Sequence, residues 1–153
     1  MNQENSEINS QEAVTLKTGT RVLLVDDCED NQVLVRHFIE RAGGKVDVAA
    51  NGIEGLERTS QGDYDIVLMD IEMPLLDGNE TIRYLRDKGF SRPILVLTAH
   101  GSYHSRLASF EAGCTDYLVK PVSRDDLIWA INSQLEYPRK PAQRPVRPEF
   151  LSH

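Results

Sequence analysis

Ile66-Val67-Leu68-Met69-Asp70 sets four large apolar residues in a row and ends them in a carboxylate. Three other stretches repeat the form: Arg21-Val-Leu-Leu-Val25 before Asp26-Asp27, Ile94-Leu-Val-Leu97 before Thr98, and Tyr117-Leu-Val119 before Lys120-Pro121. Short apolar runs without alternation are what strands look like when helices cover both faces of a parallel sheet. Parallel strands line up their C-terminal ends along one edge, and open α/β sheets bind ligands at that edge. Three carboxylates, a hydroxyl and an amine, far apart in the sequence, are therefore expected in one pocket.

Helix-like segments lie between the runs. Val33, Leu34, His37 and Phe38 recur at helical spacing, and Gly43-Gly44 stops that helix. Lys45 to Ala49 reads as a β-branched strand, and Asn51-Gly52 turns into a helix carrying Ile53 and Leu56 that ends near Gly62. After the Ile66 run, Met73-Pro74 and Asp77-Gly78 are turn signals in a long loop. Ile82, Tyr84 and Leu85 mark a third helix that closes before Gly89. Leu107, Ala108, Phe110 and Glu111 mark a fourth, capped by Gly113. Ser123 and Asp126 form a capping box for a last helix with Leu127, Ile128, Ile131 and Leu135. Strands alternating with helices are the signature of βα units. The expected fold is a doubly wound α/β domain over residues 20–136, with a five-stranded parallel sheet and five helices. Residues 1–19 are polar and weakly patterned and read as a disordered leader. Residues 137–153 hold four prolines, at 138, 141, 145 and 148, and read as a Pro/Arg-rich linker or tail.

A chain of 153 residues with net charge −7 fits one domain plus tails. No run approaches the roughly 18 apolar residues that span a bilayer, and the N-terminus lacks a basic-then-apolar signal pattern. The expected location is the cytosol, either alone or as the cytosolic piece of something larger. Cys28 and Cys114 have no CxxC spacing, so neither a disulfide framework nor a zinc site is suggested. The leader holds one lysine against three glutamates, whereas the tail holds four cations against one carboxylate. The body between them is thus acidic, which argues against direct nucleic-acid binding, since phosphate backbones reward basic patches.

The strand-end residues each admit two readings. Asp26-Asp27 could cap a helix start, or could hold a hard cation such as Mg²⁺, which favours oxygen ligands and takes one or two carboxylates from a protein. Asp70 ends a strand of large apolar residues, where an unpaired charge is costly, so it needs a partner or a task. Three carboxylates at one sheet edge repel one another unless a metal or a cationic side chain relieves them. Lys120 supplies a mobile point charge suited to a phosphoryl oxygen. A cis bond at Pro121 would fix where that lysine points. Thr98 is either a phosphoryl-binding hydroxyl or a simple turn hydrogen bond, and Tyr117 either a moving aromatic or a half-buried strand residue.

The chain resembles the receiver domain of two-component response regulators. The motifs that carry the resemblance are Leu23-Leu-Val-Asp-Asp27, Val67-Leu-Met-Asp-Ile-Glu-Met-Pro-Leu-Leu-Asp-Gly78, Leu97-Thr-Ala99 and Asp116-Tyr-Leu-Val-Lys-Pro121. Each alone is common, but here they come in order, each at an expected strand end. The resemblance implies a flavodoxin-like fold in which Asp70 accepts a phosphoryl group from a phosphohistidine on a histidine kinase or histidine phosphotransfer protein. It implies Mg²⁺ held by Asp27, Asp70 and the backbone carbonyl of Glu72, with Asp26 acting through water. It also implies that Thr98, the Ala99 backbone and Lys120 contact the phosphoryl oxygens, and that Tyr117 moves with Thr98. The readout is then expected on the surface of the fourth helix, fifth strand and fifth helix, where a downstream protein or a second copy would dock. The segment Met69–Gly78 is most similar to receivers fused to hybrid sensor kinases.

Glu72 and His100, each two residues past a site residue, are expected to rim the pocket and, if they approach each other, to influence entry of the attacking water. Two independent solvated side chains are the other reading. Two further function classes stay open. A phosphorylation-independent adaptor would share the fold but usually lacks part of the acidic set. An aspartyl-phosphate-type phosphatase places its nucleophile in an Asp-x-Asp pair, whereas here Asp26-Asp27 are adjacent and followed by Cys28. On the receiver reading the chain is a phosphoacceptor that assists its own phosphorylation and dephosphorylation rather than an enzyme.

Overall fold

Strand and helix alternate five times along the chain in the computed structural model, which describes residues 14–136. The strands are β1 (Arg21–Val25), β2 (Lys45–Ala49), β3 (Ile66–Asp70), β4 (Ile94–Thr98) and β5 (Asp116–Val119). The helices are α1 (Glu29–Arg41), α2 (Gly52–Gln61), α3 (Gly78–Asp87), α4 (Tyr103–Ala112) and α5 (Arg124–Glu136). All strand pairs are parallel, in the order β2-β1-β3-β4-β5. This is the expected doubly wound, flavodoxin-like sheet.

Successive strand residues point to opposite faces, and in β1, β3 and β4 both faces are covered. Val22, Leu24, Ile66, Leu68, Leu95 and Leu97 enter one core with Val35, Ile39, Leu127, Ile128 and Ile131 from α1 and α5. Leu23, Val25, Val67, Met69, Ile94 and Val96 enter the other with Ile82 and Leu85 from α3 and Ala112 from α4. Each such side chain contributes roughly 1.5–3 kcal/mol on burial. That two-sided burial is why the strands read as bare apolar runs.

Side-chain caps start four of the helices. Asn51, Asp77 and Ser102 accept from the N–H groups of Glu54, Glu80 and Ser105, and Ser123 Oγ accepts from Asp126 N–H at 3.1 Å. At Cys28, which precedes α1, no side-chain cap bond forms. Gly43, Gly89 and Gly113 follow α1, α3 and α4 with positive φ, a conformation a Cβ disfavours.

Helix faces depart from expectation in places. In α1 the buried residues are Val35 and Ile39, whereas Val33 is 68% exposed and Leu34 49% exposed. Ile53, Tyr84 and Leu107 are also exposed. Asp77-Gly78, read as a turn, is the N-cap and first residue of α3. A Cβ on Gly78 would stand 2.2 Å from the backbone oxygen of Asp70, so close approach to β3 is what requires glycine there.

The expected disordered leader needs correction over its last part; residues 1–13 lie outside the described residues. Leu16 is only 5% exposed and belongs to the α1/α5 core, and its N–H donates to Ala42 O at 2.8 Å. Arg124 Nη2 donates to Val14 O, and Asn132 Nδ2 to Thr15 O, each at 2.8 Å. Residues 14–19 thus form a strap along α5, and the folded unit begins before residue 20. The tail 137–153 lies outside the described residues. Among the described residues, no helix is long and apolar enough to cross a membrane.

Candidate acidic site at the sheet edge

Asp26, just past β1, continues the strand by donating its N–H to Ala49 O at 3.0 Å. Its carboxylate is 1% exposed and each oxygen has a partner: Oδ1 accepts from Cys28 N–H at 2.9 Å and Oδ2 from Lys120 Nζ at 3.2 Å. Asp26 therefore closes a local turn and an ion pair rather than capping α1. Asp27, the next residue, is exposed. Asp70 is the last residue of β3, in register with Leu97 of β4 and buried. One carboxylate oxygen from each of Asp26, Asp27 and Asp70 lies within 4.8 Å of the others.

Lys120 reaches this cluster because β5 ends beside β4. Val119 is in register with Thr98, and Lys120 N–H donates to Thr98 O at 2.7 Å. Its Nζ stands 3.6 Å from Asp70 Oδ1. The Lys120-Pro121 peptide bond is cis. One ammonium among three carboxylates leaves an anionic excess. Burial is the main force raising the Asp70 carboxyl to about 6; Lys120 opposes the rise, and Asp26 adds to it. Three hard oxygen donors with uncompensated charge suit a divalent cation such as Mg²⁺.

The remaining sequence-predicted residues gather in an adjoining hollow of about 280 Å³, lined in part by Glu72, Thr98, His100 and Tyr117. His100 Nε2 lies 2.5 Å from Glu72 Oε1, so these two exposed side chains do meet. Thr98, buried at the end of β4, accepts on Oγ1 from His100 N–H at 3.2 Å. The Tyr117 hydroxyl donates to the His100 carbonyl, and Arg106 sits over its ring. Burial raises the Tyr117 hydroxyl above its ordinary range, so it stays a donor. Ala99 follows Thr98 on the exposed rim. Sequence reasoning missed Gln32, whose Nε2 donates to Asp26 O at 2.6 Å; no motif marks it, and only the fold of α1 onto β1 brings it there.

The family model for the response regulator receiver domain matches residues 22–132. The chain is 38% identical over 116 residues to the transcriptional regulatory protein ResD of Bacillus subtilis (strain 168), covering 76% of this chain and 48% of ResD. It thus spans about half the length of that curated relative. Among solved structures it is similar to the receiver domain of sensor histidine kinase PA1611 from Pseudomonas aeruginosa PAO1, which has a magnesium ion coordinated in the active site cleft. That match has TM-score 0.73 and 32% identity, and covers 78% of this chain and 99% of the other. It is also similar to response regulator TrrA of Thermotoga maritima in complex with Mg(2+)-BeF, with TM-score 0.69 and 35% identity, covering 74% and 97%. The sheet order, the acidic edge and these matches agree: the chain belongs to the response regulator receiver domains of two-component systems.

Proposed function

We propose that this receiver domain stores a phosphoryl group on Asp70, taken from a phosphohistidine of a histidine kinase or phosphotransfer partner with Mg²⁺ as cofactor. The observation that carries the reading is the placement of Asp70. It is a buried carboxylate grouped with Asp26 and Asp27 within 4.8 Å and with Lys120 Nζ at 3.6 Å. When bound, Mg²⁺ supplies positive charge that lets a carboxylate and a phosphoryl group approach each other. Asp27 and Asp70, with the Glu72 carbonyl, would hold it, while Asp26 stays bound to Cys28 and Lys120.

Asp70 attacks phosphorus, an oxygen–phosphorus bond forms as the nitrogen–phosphorus bond to the donor imidazole breaks, and the imidazole keeps the electron pair. Lys120, Thr98 and the Ala99 N–H take up charge on the phosphoryl oxygens, which is positioning and electrostatics rather than covalent chemistry. Thr98 drawn toward the phosphoryl group would give up His100 N–H, and Tyr117 could then leave the His100 carbonyl for the vacated space. Both hydrogen bonds join the site to the loop that leads into α4, so α4, β5 and α5 are the readout surface. Exposed Tyr103, Leu107, Val119 and Trp129 supply apolar area there for a protein target or a second copy.

The donor would approach over α1, where Leu34 and Phe38 with Pro121 and Val122 line an apolar hollow of about 290 Å³ bordered by Lys120. On this reading the chain is a switch rather than an enzyme with turnover on a small molecule. The test is incubation with Mg²⁺ and a small acyl phosphate, followed by intact mass. A single phosphoryl adduct that is lost in Asp70→Asn is expected. An adduct that persists in that variant, or none in the parent, overturns the reading.

A further inference from the structure

Asp27 is the exposed member of the carboxylate cluster, and its direction depends on the peptide that precedes it. Asp26 is fixed at four points. Strand pairing holds its N–H on Ala49 O, and its two carboxylate oxygens are held by Cys28 N–H and Lys120 Nζ. The fourth point is its carbonyl, which accepts from Gln32 Nε2 at 2.6 Å. That carbonyl lies in the Asp26–Asp27 peptide plane, so the bond sets the plane from which the Asp27 side chain departs. Gln32 is itself well anchored: it is half-buried in the first turn of α1, and its N–H donates to Cys28 O at 3.0 Å.

Resting on the magnesium reading above, we infer that Gln32 is a positioning residue for the metal site, holding the Asp26–Asp27 peptide so that the Asp27 carboxylate points at the cation. The role requires a donor, because the atom it meets is a carbonyl oxygen. Methionine keeps the length and volume of glutamine without a donor. Groups that orient metal ligands typically matter by 10–100-fold in metal affinity.

The test titrates Mg²⁺ alone into the parent chain and Gln32→Met by calorimetry, and records the metal-free thermal midpoint of each. A roughly tenfold weaker magnesium constant in Gln32→Met is expected. The acyl-phosphate labelling rate should return to the parent value at saturating magnesium, because Gln32 touches neither Asp70 nor the phosphoryl group. Gln32→Asn, whose donor falls one methylene short, gives a second measurement with the same expected direction if the methionine variant does not fold. A lowered metal-free midpoint with an unchanged magnesium constant would make Gln32 a brace of the α1 start and overturn the inference while leaving the phosphoacceptor reading intact. Absence of magnesium binding by the parent would overturn both.

Discussion

Lys120 Nζ stands between Asp26 and Asp70, 3.2 Å from the first and 3.6 Å from the second. Asp26 is the more buried of the two, so it has less access to water once that ammonium is removed. In Lys120→Met the metal-free protein should lose roughly 1–3 kcal/mol, below the usual cost of breaking a fully buried pair because Cys28 N–H still binds Asp26. Urea unfolding in the presence of a chelator measures the loss. Acyl-phosphate labelling of Asp70 should fall at least ~100-fold, the scale of removing one charge-stabilising group.

The raised Asp70 carboxyl, about 6 against an ordinary 3.8, makes the metal-free stability depend on pH. A carboxyl raised on folding binds its proton more tightly in the native state. Its contribution is fully present below about pH 4 and is lost as pH rises through about 6. Asp70→Asn abolishes that loss. The variant should match the parent near pH 4 and exceed it by roughly 1–3 kcal/mol at pH 7.5 with chelator, since a tenfold change in proton affinity is worth about 1.4 kcal/mol. Equal stability at both pH values would refute the assignment.

Glu72 and His100 meet across the rim of the hollow, so they should act as a pair on water entry. Glu72→Ala and His100→Ala are each expected to change the rate of phosphoryl loss from Asp70 several-fold, and the double variant by no more than the larger single effect, as for groups acting as a unit. Time-resolved intact mass after removal of the phosphodonor measures it. Unchanged lifetimes in both single variants would sink the pairing.

Gly78→Ala puts a methyl group against the Asp70 carbonyl, and backbone, unlike a flexible side chain, cannot yield cheaply. The variant should be destabilised by about 1–3 kcal/mol, in the range of overpacking. Because β3 must shift at its last residue, labelling of Asp70 should drop along with the unfolding midpoint.

Leu16→Ala removes a buried side chain from the α1/α5 core. A loss of roughly 2–4 kcal/mol is expected by urea unfolding, as for other buried leucines. A loss below ~0.5 kcal/mol, typical of surface changes, would mean the strap does not dock.

The strands were legible because two-sided burial leaves a mark that needs no partner to interpret: in β3 every residue from Ile66 to Asp70 is buried. The polar residues after those runs followed from the parallel edge. Helix α1 was harder, because Val33, Leu34, Val35, Phe38 and Ile39 cover much of its circumference, and periodicity alone does not choose the inward face. The sheet chose Val35 and Ile39. The strap escaped notice for the opposite reason, since Val14 and Leu16 are too few to show a period. Gln32 was invisible because a lone amide in a helix carries no pattern; its meaning lies in the carbonyl it reaches.

The strap separates two quantities that are easily taken as one. The span that the family model matches covers residues 22–132, whereas the stretch that completes the core extends back at least to Leu16. A boundary drawn at Val22 would cut through the hydrophobic interior and leave a hole beside Ile39, Gly44 and Ala42. The span that marks the family is shorter than the span that packs as one core.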